Sequence, residues 1–304
     1  MAVTVVGSIA FDAVRTPFGS RERMLGGSAV HFALAASFFD QVRVIGPVGD
    51  DFGQREYEVL RSRGVDTSGI EHVEGGRTFF WAGEYGWDLG ERETLDTQLG
   101  VFADFEPKLS EAARASEVVF LANIQPELQQ RVRQQCRAAR FVALDSMNLW
   151  IETARDSLIE AISAVDCLLL NDSELRELTR EPNLVKAARQ IREWGPRFVV
   201  AKQGRYGAAL VSEEGFFALP AFPLETVVDP TGAGDSFAGG FMGYIASHGD
   251  AVDHSVLTRA MAYGTALGSF NVEAFGVERV SRLTPAEISE RVSELHRITQ
   301  FTPA

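Results

Sequence analysis

Short apolar runs alternate with longer amphipathic segments along most of this 304-residue chain. Nearly continuous apolar runs of this length are typical of strands that are buried on both faces. Strands that alternate with helices predict an α/β fold in which a doubly wound, mostly parallel sheet is flanked by helices. The predicted strands cover residues 3–9, 42–48, 118–122, 141–145, 167–170 and 198–201.

Helical patterning fills the intervals between these strands. The last helix is predicted to begin at Thr284-Pro285-Ala286-Glu287, a capping box with proline at the first helical position. Ligands of such sheets bind beyond the carboxyl ends of the strands, so polar residues that follow a strand are site candidates. We expect one domain over residues 1–304. The other predicted helices cover residues 29–39, 52–63, 126–139, 151–164, 173–179, 185–194, the segment after Asp235 and residues 253–270.

One segment, residues 78–105, breaks this alternation. Its period of two places Phe79, Trp81 and Tyr85 on one face of an extended chain. We therefore predict a small antiparallel β unit inserted in the α/β frame, formed by about 12–24 and 76–106. Because an exposed aromatic face is costly, it must be covered by the active site, by a second subunit in a homodimer, or by the domain's own core.

A glycine-rich run, Asp229-Pro-Thr-Gly-Ala-Gly-Asp235, follows an apolar segment and leads into a predicted helix. Gly232 and Gly234 permit backbone angles that let successive N–H groups converge on an anion at a helix N-terminus. The carboxylate of Asp235 would repel such an anion. Its placement is explained if Asp235 contacts a hydroxyl that attacks a bound phosphate. A base beside a nucleophile and a cradle for the transferred group predict phosphoryl transfer. The alternative is a turn in which Asp235 is an N-cap.

Two other nucleotide-binding motifs are missing from the sequence. No Gly-Lys pair occurs, which excludes a Walker A loop. The spacing Gly232-x-Gly234-x-x-Phe237 lacks the third glycine of a dinucleotide fingerprint and lies far from the first strand. The missing glycine fingerprint argues against the hypothesis of an NAD-dependent oxidoreductase.

The composition excludes several partners. The net charge is −13, only three lysines occur and no basic cluster is present, so neither nucleic acid nor an anionic membrane is expected to bind. No apolar run approaches the roughly 18 residues that a spanning helix needs, and the N-terminus enters a strand pattern directly, so we expect a cytoplasmic location. Cys136 and Cys167 form no metal-type pair.

The run from 229 to 242 resembles the C-terminal signature of the ribokinase-like sugar and nucleoside kinases, the PfkB carbohydrate kinase family. The resemblance implies a ribokinase-like fold whose small β unit is a lid over the substrate. It implies transfer of the γ-phosphoryl of ATP, with Mg²⁺, to a primary hydroxyl of a small polyol, a sugar or a nucleoside. It also implies that Asp235 is the catalytic base and that the amides of Gly232, Ala233 and Gly234 form the anion hole.

The substrate site is predicted from both the residues and the resemblance. Asp12 follows the first predicted strand, where a carboxylate accepts hydrogen bonds from vicinal hydroxyls or ends a turn. The family has a matching Asp that binds sugar hydroxyls and a Gly-Gly pair, here Gly26 and Gly27, that approaches the substrate. The family usually has Asn where this chain has His31, which is therefore a hydrogen-bonding candidate or an unrelated helix residue. Trp81 is the lid candidate, and its aromatic face favours a nucleoside, although pyranoses and inositols also present apolar faces.

The nucleotide site is predicted in the same way. Asn171 and Glu174 fit a helix cap, but the family has Asn-x-x-Glu near magnesium and phosphates, where Glu174 would act through water. Lys202 ends a strand and either contacts phosphates or extends to solvent. The resemblance adds Gly204 and Gly207 near the nucleotide, Asn271 in a loop beside the adenine, and Asp229 and Thr231 as candidates for a monovalent cation such as K⁺. The alternative function is a catalytically silent sugar or nucleoside sensor on the same fold.

Overall fold

The computed structural model describes residues 2–90, 92–249, 252–300 and 302. Its larger sheet has nine strands. In spatial order they are β13 (Phe216–Leu219), β12 (Ala208–Val211), β11 (Phe198–Lys202), β10 (Cys167–Asn171), β9 (Phe141–Asp145), β8 (Val118–Leu121), β1 (Ala2–Val6), β4 (Gln41–Val48) and β5 (Ile70–His72). All neighbours from β11 to β5 pair in parallel, whereas β12 and β13 are antiparallel.

The predicted parallel sheet is confirmed, with differences at its ends. The first strand stops at Val6 instead of residue 9, because the next residues turn toward a second sheet. β5, β12 and β13 were missed by the sequence analysis. β5 has only three residues, of which one is apolar. β12 and β13 are apolar runs of four residues each that were not assigned as strands.

A smaller sheet of four strands lies beside the large one. This small sheet consists of β3 (Gly19–Gly26), β2 (Ala10–Thr16), β6 (Phe79–Tyr85) and β7 (Arg92–Gln98), in that spatial order. The inserted β unit is therefore present and includes the segment at 12–24. The prediction that its strands are antiparallel was wrong in part, because β2 pairs with β6 in parallel. The extended stretch also ends at Gln98, before a short 3₁₀ turn at Gly100–Phe102.

Helices cover both faces of the large sheet. The predicted helix over 151–164 is two helices that meet at Ala154, and the helix near Asp235 begins earlier than predicted, at Ala233. Within the described residues, none of the helices is long and apolar enough to cross a bilayer. The helices are α1 (Ser28–Ala36), α2 (Gln54–Arg61), α3 (Glu111–Arg114), α4 (Pro126–Gln135), α5 (Asn148–Thr153), α6 (Arg155–Ser163), α7 (Asp172–Thr179), α8 (Leu184–Glu193), α9 (Ala233–Ser247), α10 (His254–Asn271), α11 (Glu278–Ser281) and α12 (Pro285–Thr299).

Close packing fixes the position of α9. A Cβ added to Gly239 would lie 2.3 Å from the carbonyl oxygen of Phe32, and one added to Gly243 would lie 3.0 Å from the Cα of Ala36. Glycine at these positions lets α9 approach the backbone of α1. Phe32 in turn stacks on Phe120 of β8, with ring centroids 4.5 Å apart. The N-terminus of α9 is thus held at a fixed place relative to the sheet.

Candidate active site

The N-terminus of α9 forms a glycine turn with a carboxylate in its first helical turn. Gly232 is the residue before the helix and has φ +75°, in the left-handed region that glycine adopts without strain. The amide of Ala233 donates to the carbonyl of Pro230 at 3.2 Å, so this amide already has a partner within the chain. Asp235 lies in the first turn and is therefore not the N-cap that the alternative interpretation required.

His31 lies directly against the glycine turn. A Cβ on Gly232 would be 2.4 Å from the imidazole ring, so only glycine fits there. His31 Nδ1 is 2.9 Å from Oδ1 of Asn271, which also accepts a hydrogen bond from Ser236 Oγ at 2.9 Å. An amide oxygen only accepts, so Nδ1 carries the proton. Burial lowers the pKa of His31, which keeps the ring neutral.

The neutral ring leaves Nε2 of His31 as an acceptor. Nε2 is buried and has no hydrogen-bond partner among the described residues. Asn271 also donates from Nδ2 to the carbonyl of Thr231 at 2.7 Å. Asn271 is the last residue of α10 and is fully buried. The expectation that it lies in a loop was wrong, and its side chain instead ties α10 to His31 and to the glycine turn.

Asp12 lies on the small sheet, not in a turn after the first strand. It belongs to β2 and pairs with Met24 of β3. A Cβ on Gly26 would lie 1.9 Å from Asp12 Oδ2, and Gly27 has φ +94°. Burial, together with the nearby charges of Asp229 and Asp235, raises the pKa of Asp12 to about 7. The glycine pair therefore makes room for a buried carboxylate.

Three adjacent strands of the large sheet place polar side chains at their carboxyl ends. β9 ends at Asp145, β10 at Asn171 and β11 at Lys202. Lys202 Nζ donates to Asp145 Oδ2 at 2.6 Å, with 16% and 6% of the two side chains exposed. Asp145 was not predicted as a site residue, although it ends a buried strand just as Lys202 does.

Electrostatic coupling joins this pair to two further carboxylates. Burial lowers the pKa of Lys202, but the negative charges of Asp145 and Glu174 raise it by more, so the pKa lies above its ordinary value. Burial and the charge of Asp145 raise the pKa of Glu174 to about 7, against the lowering effect of Lys202. The same causes raise the pKa of Asp235 to about 7. The described site thus holds several acids that share few positive charges.

Asn171 and Glu174 form the helix cap that was one of the two interpretations. Asn171 Oδ1 accepts from the amide of Glu174 at 2.8 Å, and Glu174 Oε2 accepts from the amide of Asn171 at 2.9 Å. The cap uses only one oxygen of Glu174. The other oxygen remains a candidate for water or metal.

The candidate residues for a monovalent cation lie behind the glycine turn. Asp229 is fully buried, and its oxygens accept from the amides of Thr231 at 2.9 Å and Gly276 at 3.1 Å. Thr231 Oγ1 is 3.1 Å from the hydroxyl of Tyr85, which belongs to the small sheet. Among the described residues no cluster of three or more His, Cys, Asp or Glu side chains is arranged to hold a metal.

The small sheet turns its aromatic face toward the glycine turn. Trp81 Nε1 donates to Thr94 Oγ1 at 3.3 Å, and the indole covers Gly83, where a Cβ would lie 2.2 Å from the ring. Tyr85 is buried against Val14 and Phe275. The aromatic face is thus covered in part by the chain's own residues, while Trp81 is only half-buried.

The two glycines predicted near the nucleotide differ in their surroundings. Gly204 follows β11 in a short 3₁₀ turn, and a side chain there would meet open space. A Cβ on Gly207 would lie 2.0 Å from the carbonyl of Leu219, so this glycine is required by the packing of β13. Between them, Arg205 donates to the carbonyl of Asp88 at 2.7 Å, which links this turn to the loop between β6 and β7.

Comparisons with known proteins agree with this architecture. A profile of the pfkB family of carbohydrate kinases matches residues 3–282. The cytidine kinase of Thermococcus kodakarensis is 31% identical over 247 residues, which are 79% of this chain and 87% of the relative. An ATP-dependent ribose-1-phosphate kinase of Halopiger xanaduensis is 29% identical over 256 residues, covering 82% of this chain and 81% of that one.

A solved structure extends the likeness to three dimensions. Aminoimidazole riboside kinase from Salmonella enterica, complexed with aminoimidazole riboside and an ATP analogue, superposes with a TM-score of 0.75 at 19% identity. The match covers 96% of this chain and 100% of that one. At this identity the likeness shows the fold, in which a mostly parallel sheet is flanked by helices.

Proposed function

We propose a specific reaction for this chain, which belongs to the pfkB family of carbohydrate kinases and is therefore a carbohydrate or nucleoside phosphotransferase. In the proposed reaction, the γ-phosphoryl of ATP is transferred to a primary hydroxyl of a nucleoside. One observation carries the proposal. Asp235 lies in the first turn of α9, beside the amides of Gly232 and Gly234, with its pKa raised to about 7. This arrangement supports the proposal of a base next to an anion cradle.

Asp235 would act as the general base. Its carboxylate takes the proton from the acceptor hydroxyl as the oxygen attacks the γ-phosphorus, and a pKa near 7 suits a base that works near neutral pH. The free N–H groups in the first turn of α9 would receive the charge that builds up on the phosphoryl oxygens. Ala233 contributes least, since its amide donates to Pro230.

The acceptor would lie between the small sheet and the glycine turn. Asp12 would accept hydrogen bonds from vicinal hydroxyls, and the backbone of Gly26 and Gly27 would border them. His31 Nε2, which has no hydrogen-bond partner among the described residues, would accept a hydrogen bond from one further hydroxyl. The half-buried face of Trp81 supports a nucleoside, whose base needs an aromatic surface to stack on. A sugar with an apolar face is the second candidate.

The nucleotide would lie over the carboxyl ends of β10 and β11. Lys202 and the open turn at Gly204 would border its phosphates, and Mg²⁺, when bound, would neutralise charge on the β- and γ-phosphates. Glu174 suits that ion because one of its carboxylate oxygens is not used by the helix cap. Asp229 and Thr231 would hold a monovalent cation such as K⁺. A homodimer through the small sheet stays a prediction.

The test is ADP release from ATP and Mg²⁺ with a panel of nucleosides, including cytidine, and of free sugars. Asp235→Asn should fold normally, bind ATP and lose on the order of 10²–10⁴ in turnover, the usual contribution of a positioned base. The kcat/KM of the wild type should fall as the pH drops below about 7, because Asp235 is then protonated.

The control is Asp156→Asn, which removes an exposed acid from the first turn of α6, a helix that supplies none of the proposed site residues. It should leave turnover unchanged. Ligand binding by the wild type without any ADP release would favour a silent sensor. Turnover by Asp235→Asn at the level of Asp156→Asn would remove Asp235 as the base.

A further inference from the structure

Asn271 joins three buried segments that meet at the glycine turn. Its Nδ2 atom is 2.7 Å from the carbonyl oxygen of Thr231, and its Oδ1 atom is 2.9 Å from both His31 Nδ1 and Ser236 Oγ. Asn271 and Ser236 are fully buried, and His31 is 2% exposed. Hydrogen bonds at both ends of a buried amide fix its orientation.

The orientation of the Asn271 amide follows from its contact with Thr231. A carbonyl oxygen can only accept a hydrogen bond, so the amide atom beside it is the nitrogen. The amide oxygen therefore faces His31 and Ser236 and accepts from both. His31 Nδ1 must then carry a proton, and because burial keeps the ring neutral, Nε2 has none. Asn271 thereby selects one of the two tautomers of His31.

His31 lies beside the residues proposed to bind the phosphoryl acceptor. Its amide donates to the carbonyl of Gly27 at 3.2 Å, and Gly27 follows Gly26, against which the carboxylate of Asp12 packs. The ring itself packs on Gly232, where a Cβ would be only 2.4 Å away. Nε2 is buried and has no hydrogen-bond partner among the described residues. A buried nitrogen lone pair without a donor is unfavourable, and a hydroxyl of the bound acceptor would supply that donor.

We propose that Asn271 is a positioning residue that sets the hydroxyl specificity of the acceptor site through the tautomer of His31. This inference rests on the proposed kinase function. With its proton held on Nδ1, the imidazole can only accept at Nε2, so it recognises a hydroxyl that donates. A hydrogen or a fluorine in place of that hydroxyl cannot donate and leaves Nε2 unpaired. The preferred substrate class is therefore a nucleoside with both ribose hydroxyls, since a site that binds a hydroxyl rejects the analogue lacking it.

The proposal also predicts what the loss of Asn271 would do. Without the amide oxygen, nothing holds the proton of His31 on Nδ1, and the ring is free to carry it on Nε2. Nε2 would then donate, and a hydroxyl in that position would no longer be distinguished by its own proton. Asn271 thus acts on the acceptor through His31 and does not contact the acceptor itself.

The first test reads the tautomer directly in the wild-type protein. Long-range proton–nitrogen correlation spectra of protein carrying ¹⁵N-labelled histidine distinguish a protonated ring nitrogen from a bare one. The chain has five histidines, and His31→Leu identifies the signals of His31 by their loss. We expect a protonated Nδ1 and a bare Nε2, with a shift of the Nε2 signal when cytidine binds. A proton on Nε2, or exchange between the two tautomers, would overturn the inference.

The second test measures hydroxyl specificity as a ratio. The kcat/KM for cytidine, or for the best nucleoside of the panel, is divided by the values for its 2′-deoxy, 3′-deoxy and corresponding fluoro analogues. His31→Leu and Asn271→Leu should each lower the ratio at one of the two positions by about 10–100-fold, because the buried hydrogen bond that sets it is lost. In the double variant the ratio should be no lower than in His31→Leu alone, since both changes act through one hydrogen bond.

Ser236→Ala is the matched control. Ser236 shares the same oxygen of Asn271 but makes no listed bond to the imidazole, so its removal leaves the His31 tautomer in place. Both ratios should stay at the wild-type level in this variant. A general loosening of the site would lower kcat/KM for cytidine and for its analogues together, and would leave the ratios unchanged.

The outcomes distinguish two failures. If the wild type releases no ADP with any acceptor, the proposed function falls, and the inference falls with it. If the wild type is active but His31→Leu keeps both ratios, no acceptor hydroxyl meets Nε2, and the inference is overturned while the kinase function stands. The same holds if His31→Leu lowers a ratio and Asn271→Leu does not, because Asn271 would then have no part in positioning His31.

Discussion

Replacement of Lys202 by methionine should destabilise the protein in a strongly pH-dependent way. Lys202 Nζ and Asp145 Oδ2 are 2.6 Å apart, and only 16% and 6% of their side chains are exposed. Removing one partner of a buried pair leaves the other charge without compensation, which costs about 3–5 kcal/mol. We expect the free energy of unfolding of the variant to fall by this amount at pH 8, where the buried Asp145 would be ionised without its partner.

The loss should shrink in acid, and the sign follows from proton linkage. Without Lys202 the pKa of Asp145 rises further above its ordinary value of 3.8, so the folded variant takes up a proton that the unfolded chain releases. Each pH unit above the ordinary pKa costs about 1.4 kcal/mol. At pH 5 the destabilisation is therefore limited to about 2 kcal/mol, and it should rise with pH toward its full value at pH 8.

Equilibrium urea unfolding at pH 5 and pH 8 measures this difference. Lys202→Met combined with Asp145→Asn should recover most of the stability at pH 8, because the stranded charge is gone. Lys186→Met is the matched control, since Lys186 is exposed on α8, and it should stay within about 0.5 kcal/mol of wild type. An equal loss for Lys202→Met at both pH values would refute the reasoning.

Two further predictions concern the acids of the site. Glu174→Gln should raise the magnesium concentration needed for turnover by about 10–100-fold, because it removes a residue that orders the waters of a bound metal. The acceptor KM should stay near the wild-type value. Superimposed magnesium titrations would leave Glu174 as a helix cap only. Asp12→Asn should raise acceptor KM but also stabilise the fold above pH 7, by up to about 4 kcal/mol, because a folded pKa near 7 means that burying the ionised carboxylate is unfavourable. That gain should vanish near pH 4 in thermal or urea unfolding, and a gain equal at both pH values would contradict its electrostatic origin.

The parts of the site that lie on central strands could be predicted from the sequence. A continuous apolar run identifies a buried strand, and the polar residue at its carboxyl end then becomes a candidate, which is how Asn171 and Lys202 were found. The capping box at Thr284 is confirmed, with Oγ1 accepting from the amide of Glu287 at 3.4 Å. These signals are local, so they survive without knowledge of the tertiary structure.

The missed residues depend on contacts between distant segments. Arg92 lies on the face of Tyr85 only because the register of β6 and β7 sets the two residues opposite each other, and nothing in its own neighbourhood of the sequence shows that face. The parallel pairing of β2 with β6 is likewise set by the docking of two segments. Asn271 was placed beside the adenine from the resemblance, whereas its amide holds His31, Ser236 and Thr231 together.

The division of the proposed acceptor site between two bodies has a thermodynamic consequence. Asp12 and Trp81 belong to the small sheet, whereas Asp235 belongs to α9. If these residues hold the acceptor together, its observed dissociation constant is the intrinsic one divided by the fraction of molecules in which the sheet covers the site. A substitution that loosens the Tyr85 to Thr231 contact would then weaken acceptor binding without altering any residue that touches the acceptor. Under this proposal, affinity for the acceptor and closure of the small sheet would be one equilibrium.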